Sequence, residues 1–175
     1  MRWLPVLLLL ASAVHAETLS GRVLSVENGD MITVEDARKK RHKVRLSGVD
    51  APEKAQRFAK QSEQHLSRLV DGKPVTVGYK KYDRYGRIVG KVMVAAPDAC
   101  PAVQLECPKT LDAGLAQISA GLAWHRKQPA EEQAPGERER YEFAERDARA
   151  KRAGLWADPK PMPPWEWRRA KRQER

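Results

Sequence analysis

The run Val44-Arg45-Leu46-Ser47-Gly48-Val49-Asp50-Ala51-Pro52-Glu53 carries the chain from a strand toward a helix. From His42 to Val49 the side chains alternate, Val44, Leu46 and Gly48 to one face and Arg45 and Ser47 to the other, which is the period of a half-buried strand. Pro52 and Glu53 suit a helix approach. Ala55, Phe58, Ala59, Ser62, Leu66, Leu69 and Val70 then follow helical spacing, so a helix is predicted from Ala55 to Val70. Upstream, Leu19 to Val26 alternates as a strand, and Met31 to Val34 resumes it after the turn Glu27-Asn28-Gly29-Asp30, in which Gly29 can take positive φ. A second turn, Asp36 to Arg41, leads back into the opening run and completes three antiparallel strands.

Downstream, Asp71-Gly72-Lys73-Pro74 stops the helix, and Pro74 to Tyr79 and Arg87 to Val94 read as two strands joined by a charged turn. Residues 95–110 hold Cys100 and Cys107 among prolines and read as a loop insertion. A helical stripe at Leu111, Leu115, Ile118 and Leu122 ends near Gly121. A polar stretch comes next, and then a charged helix from Glu137 to Arg152, with Gly154 as its stop. Five strands with one helix after the third and helices at the end suit an α+β, mainly β fold: a five-stranded Greek-key barrel of the oligonucleotide-binding (OB) type with about three packed helices. Residues 159–175, rich in Pro, Trp and Arg, read as a solvated basic tail.

Residues 1–16 combine Arg2, an apolar run from Leu4 to Ala11 and small residues at Val14-His15-Ala16, the pattern of a cleaved signal peptide. The apolar run is shorter than the roughly 18 residues a spanning helix requires. Export to the periplasm or the medium is therefore expected, with an oxidising compartment in which Cys100 and Cys107 would close a small disulfide loop. The chain beyond the leader is long enough for one domain, and the absence of an unassigned apolar stripe points to a monomer. A formal net charge of +10 favours a polyanionic partner, either nucleic acid or an anionic envelope polymer.

Three stretches carry chemistry: Asn28-Gly29-Asp30-Met31, the opening run, and Asp83-Arg84-Tyr85-Gly86-Arg87. Asp30 comes after a turn and Asp50 ends a strand; both are hard oxygen ligands suited to Ca²⁺ or Mg²⁺. Glu53, three residues beyond Asp50, can activate a water as general base. Arg45 and Arg87 can each present a planar fork to phosphate oxygens. Each residue alone also has an ordinary reading: turn acid, strand-end acid, helix-start acid, solvated strand arginine, or an arginine paired with Asp83. Their order and strand-end contexts together favour the chemical one.

In these motifs, and in Gly121-Leu122-Ala123-Trp124 and Gly154-Leu155-Trp156, the chain resembles the staphylococcal nuclease (thermonuclease) family from about Leu19 to the C-terminal tryptophans, with residues 17–158 as the nuclease domain. The resemblance implies calcium, or Mg²⁺ or another hard divalent cation, held by Asp30, Asp50 and the Ala51 carbonyl, with Glu53 as general base. It implies Arg45 and Arg87 on the phosphate, and Tyr85, with Arg84 and Lys81, at the nucleotide. Asn28 and Met31 depart from the family's usual Asp-Gly-Asp-Thr. The implied activity is metal-dependent hydrolysis of DNA and RNA by an exported endonuclease. The alternatives are an inactive OB-fold nucleic-acid-binding module, against which retention of the five side chains argues, and a basic envelope-binding domain. Trp124 could serve as a base-stacking platform.

Overall fold

Apolar alternation closes a barrel in the computed structural model, which describes residues 17–97 and 107–174. Strand β1 (Glu17–Asn28) pairs antiparallel with β2 (Met31–Asp36), and β2 with β3 (Arg41–Leu46). A two-residue strand, β4 (Val49–Asp50), precedes helix α1 (Ala59–Val70). Strand β5 (Pro74–Tyr82) then pairs with β1 and with β6 (Ile88–Val94), and β6 runs parallel to β3. That last pairing closes β1-β2-β3-β6-β5 on itself, the expected five-stranded barrel. Val23, Ile32, Val34, Val44, Leu46, Val75, Val77, Ile88 and Val92 fill it.

The short strand β7 (Leu111–Asp112) adds to the edge of β6 and leads into α2 (Ala113–Ser119), where the Asp112 side chain accepts the Gly114 and Leu115 N–H groups as an N-cap. Strand β8 (Trp124–His125) pairs with β4. A 3₁₀ turn at Ala130–Glu132 precedes α3 (Pro135–Ala150), which buries Tyr141, Ala144 and Ala148. Gly121 (φ +65°) ends α2 and Gly154 (φ +52°) lies beyond α3; a Cβ on Gly121 would collide with the Ala153 carbonyl, and one on Gly154 with the Gly121 carbonyl.

The structure differs from the sequence expectation in several places. Gly29 does not adopt positive φ; it is required by space, since a Cβ there would collide with Ser62 Oγ and lie 2.8 Å from Ala51 Cβ. The third strand ends at Leu46 rather than Val49, because Gly48 (φ +68°) turns the chain before Val49 and Asp50 pair with β8. Helix α1 starts at Ala59, not Ala55. Phe58 holds a left-handed φ of 67°, and residues 53–56 form their own turn, with Gln56 N–H donating to the Glu53 carbonyl at 2.7 Å. The tail is not a solvated coil: Pro164–Gln173 forms a fourth helix, α4, started by Pro164 at its first turn. Among the described residues no helix is long and apolar enough to cross a membrane. The leader, Cys100 and most of the 95–110 insertion lie outside the described residues.

Candidate active site

The β1–β2 turn is pinned from below. Gln117 of α2, fully buried, donates its Nε2 to the Gly29 carbonyl at 2.6 Å and to the Ser62 carbonyl at 3.0 Å, while its Oε1 meets His65 Nδ1. Asn28 Oδ1 accepts the Asp30 N–H at 3.0 Å, so the side chain at this divergent position shapes the turn. Leu46 N–H donates to the Asp30 carbonyl at 2.9 Å, which ties the turn to the end of β3. Asp30 is thereby held 8 % exposed, with its Oδ2 accepting the Ala51 N–H at 3.2 Å.

Burial, and then the carboxylate of Asp50, raise the Asp30 pKa to about 7; the Ala51 N–H and the Arg45 charge offset this only in part, and Glu53 adds to it. Asp50 itself is buried at the β4–β8 pairing. Both its oxygens are taken by the guanidinium of Arg168 from α4: Nη2 donates to Oδ2 at 2.8 Å and Nη1 to Oδ1 at 3.1 Å. The same Nη1 donates to Glu53 Oε1 at 2.6 Å, and Arg126 Nη1 stands 3.6 Å from Asp50 Oδ2. Asp50 and Glu53 hold the Arg168 guanidinium more firmly protonated. Asp30, Asp50, Ala51 and Glu53 are therefore neighbours, brought together by a turn, a strand end and the loop before α1.

The two sequence-predicted arginines are each already paired. Arg45, 7 % exposed, donates Nη2 to Glu132 Oε1 at 2.5 Å, while its buried Nη1 has no hydrogen-bond partner. Arg87 donates Nε to Asp83 Oδ2 at 2.6 Å, and its Nη1 lies 3.0 Å from the sulfur of Met31, the residue after Asp30. Burial pushes the Asp83 carboxyl up, but hydrogen bonds from the Arg87 backbone and side chain and from the Tyr85 N–H outweigh it and leave its pKa lowered. Tyr85, largely exposed, has the Arg84 and Arg87 guanidinium carbons 4.8 and 5.0 Å from its ring centre. Lys81 Nζ is 4.0 Å from Glu132 Oε1. Trp124 is no stacking platform: it is 3 % exposed and packs edge-on against Trp156 at 5.5 Å.

Sequence reasoning missed Glu132, Arg126 and Arg168. Glu132 lies in the stretch Gln128 to Gly136, read only as a polar linker, and Arg126 just ahead of it carried no reading. The basic character of the tail was visible, but no spacing marks which arginine turns inward.

Among the described residues no three His, Cys, Asp or Glu side chains cluster closely enough to enclose a metal. The donor set still fits a hard divalent cation. Asp30 and Asp50 are buried, the charges of Asp50 and Glu53 reach Asp30 at a cost visible in its raised pKa, and one guanidinium bonds Asp50 and Glu53. Such a cation would lean on Asp30, Asp50, a main-chain oxygen and oxygens of solvent or substrate.

Comparison with known proteins identifies the family. The family described as staphylococcal nuclease homologue matches residues 43–158, more than half of the chain. An Escherichia coli protein named an uncharacterized endonuclease is 36 % identical over 171 residues, covering 97 % of this chain and 99 % of its own length. A micrococcal nuclease of Shigella flexneri is 35 % identical over 150 residues, with 86 % and 80 % covered. The staphylococcal-like nuclease CAN1 of Arabidopsis thaliana is 32 % identical over 164 residues, covering 93 % of this chain and 43 % of its own length.

Proposed function

We propose, from the premise that the chain belongs to the staphylococcal nuclease family and is a nuclease, that it is an exported, divalent-cation-dependent enzyme cleaving DNA and RNA by direct attack of water. The observation that carries the reading is the meeting of Asp30, Asp50 and Glu53 beside a buried arginine with an unpartnered Nη1. Asp30, Asp50 and the Ala51 carbonyl would hold Ca²⁺, or another hard divalent cation, which neutralises charge on the phosphoryl oxygens when bound.

The protein's own groups do the rest. Glu53 accepts a proton from the attacking water as its oxygen bonds to phosphorus; the bond from phosphorus to the leaving sugar oxygen breaks, and that oxygen takes a proton from solvent. Arg45 donates its free Nη1, and Arg87 its fork, to the non-bridging oxygens, where negative charge grows in the transition state. Tyr85 offers an exposed ring to a base and Lys81 and Arg84 a basic rim, contacts that read stacking and phosphate rather than base edges. Export rests on the leader pattern of residues 1–16, and the Cys100–Cys107 bridge on the compartment that export implies.

The test is cleavage of single-stranded DNA and RNA by the purified mature chain with Ca²⁺, Mg²⁺ or EDTA, beside Glu53→Gln. We expect cleavage that EDTA abolishes and that Glu53→Gln lowers by about 10²–10⁴-fold while nucleic-acid binding persists. Salt-sensitive binding without cleavage under any metal would refute the reading and make the chain a binding module.

A further inference from the structure

We propose that Arg168 is an internal competitor of the cation at the active site, and so sets the cation concentration at which this nuclease becomes competent. The inference rests on the reading of Asp50 as a cation ligand. Its physical content is an exclusion: Arg168 spends Nη2 on Asp50 Oδ2 and Nη1 on both Asp50 Oδ1 and Glu53 Oε1. Both oxygens of Asp50 are occupied by one planar fork. Each oxygen keeps a second lone pair, so the opposition is one of charge and space: a cation on either of them would stand against the guanidinium, which withdrawal of the fork relieves, and that withdrawal also releases Glu53.

The element that delivers Arg168 is suited to moving. Of α4 only Pro164 is buried; Trp165 and Trp167 are partly exposed, and Trp167 lies over a shallow cleft beside Phe58 and Trp124. Behind α4 the chain is fastened ahead of the helix rather than along it: Arg57 pairs with Asp158 at 2.6 Å, and Gln56 Nε2 donates to the Met162 carbonyl at 3.0 Å. Among the described residues, the Arg168 fork is the only hydrogen bond or ion pair between an α4 side chain and the rest of the protein. Few buried apolar contacts and one polar link place α4 among segments that open at low cost. On its other side a cleft of about 630 Å³, lined by Asp50, Arg126, Arg146, Arg149 and Trp165, leaves room for the helix to swing.

A protein whose binding-competent form is populated only in part shows an affinity lowered by that fraction; if α4 is undocked a tenth of the time, cation binding is weakened about ten-fold. The measurement is calorimetric titration of the mature chain with Ca²⁺ alone, without nucleic acid. It compares wild type with Arg168→Ala, Arg168→Lys, Arg126→Ala and Asp50→Ala, each checked for folding by thermal melting. The expected result is Ca²⁺ affinity raised about ten-fold by Arg168→Ala and less by Arg168→Lys, whose ammonium cannot fork. Arg126→Ala removes an equal charge 3.6 Å from Asp50 without a fork, so its effect should be clearly smaller. Equal gains in Arg126→Ala and Arg168→Ala would reduce the effect to net charge and overturn the proposal. If wild type and Arg168→Ala bind Ca²⁺ equally and Asp50→Ala does not bind it, the proposal alone fails. If none binds Ca²⁺, the cation reading of Asp50 fails with it.

Discussion

Replacing Gln117 tests how the fold holds the turn that carries Asp30. Gln117 has no exposed surface; its Nε2 donates to the carbonyls of Gly29 and Ser62, and its Oε1 engages His65. Gln117→Met keeps the length of the side chain and removes every one of these bonds. The Gly29 carbonyl is then left buried without its donor, at a cost of about 1–3 kcal/mol, while His65, which is partly exposed, can turn to water. We therefore expect Gln117→Met to lose about 2–3 kcal/mol, and Gln117→Ala about 3–5 kcal/mol once the cavity is added. For a domain of this size the methionine variant should melt about 5–10 °C lower. Urea unfolding of the mature chain, tracked by far-UV circular dichroism, gives the free energies directly. Because the turn carries Asp30, cation affinity should also fall at temperatures where both variants remain folded. Gln117→Met within about 0.5 kcal/mol of wild type, a typical surface-substitution effect, would refute the idea that this amide pins the turn.

The pairs around the site give three further expected outcomes. Glu132→Gln leaves Arg45 as an uncompensated buried charge, and should destabilise the fold by about 3–5 kcal/mol in urea unfolding; the double change Arg45→Met with Glu132→Leu should recover most of that stability and none of the cleavage. Asp83 has a lowered pKa in the folded state, so its contribution is present above its ordinary value of 3.8 and is lost as pH falls through the folded value. The stability gap between wild type and Asp83→Asn, measured by urea unfolding, should therefore be open near neutrality and narrow as pH falls below 3.8. Tyr85→Ala should raise KM for single-stranded DNA by roughly 5–150-fold, the equivalent of about 1–3 kcal/mol of base stacking, with kcat changed far less.

The barrel was legible because its strands are amphipathic: Val44 and Leu46, or Val75 and Val77, alternate with polar neighbours, and the period alone gives the buried face. Local breaks were less so. Phe58 sits at a helical spacing and yet takes φ 67°, a conformation its side chain gives no hint of. Gly29 looked like a glycine chosen for its turn, whereas the constraint is Ser62, thirty-odd residues away in the chain and touching it in space. Arg45 and Asp50 could be picked out because both lie in the run that begins as an alternating strand, and Asp30 because it sits in the turn before β2. Their partners could not: Glu132 and Arg168 reach the site from segments without periodicity, over separations of 87 and 118 residues.

If Arg45 and Arg87 act on a phosphate as proposed, their different partners mean that they would reach it by different routes. Arg87 and Asp83 are partly exposed and four residues apart, a pairing worth about 1 kcal/mol or less, so a phosphate can draw the Arg87 fork away at small cost. Arg45 and Glu132 are both nearly inaccessible, and parting them leaves an unpaired charge in a dry site, a loss of several kcal/mol. No single phosphate contact returns that much. Under that proposal Arg45 would stay on Glu132 and offer its unpartnered Nη1, while Arg87 would exchange one anion for another. The rigid arginine would then fix where the phosphate sits, and the exchangeable one would close on it after arrival. On this reading the acid behind each has its own use: Glu132 would aim a donor, and Asp83 would store one.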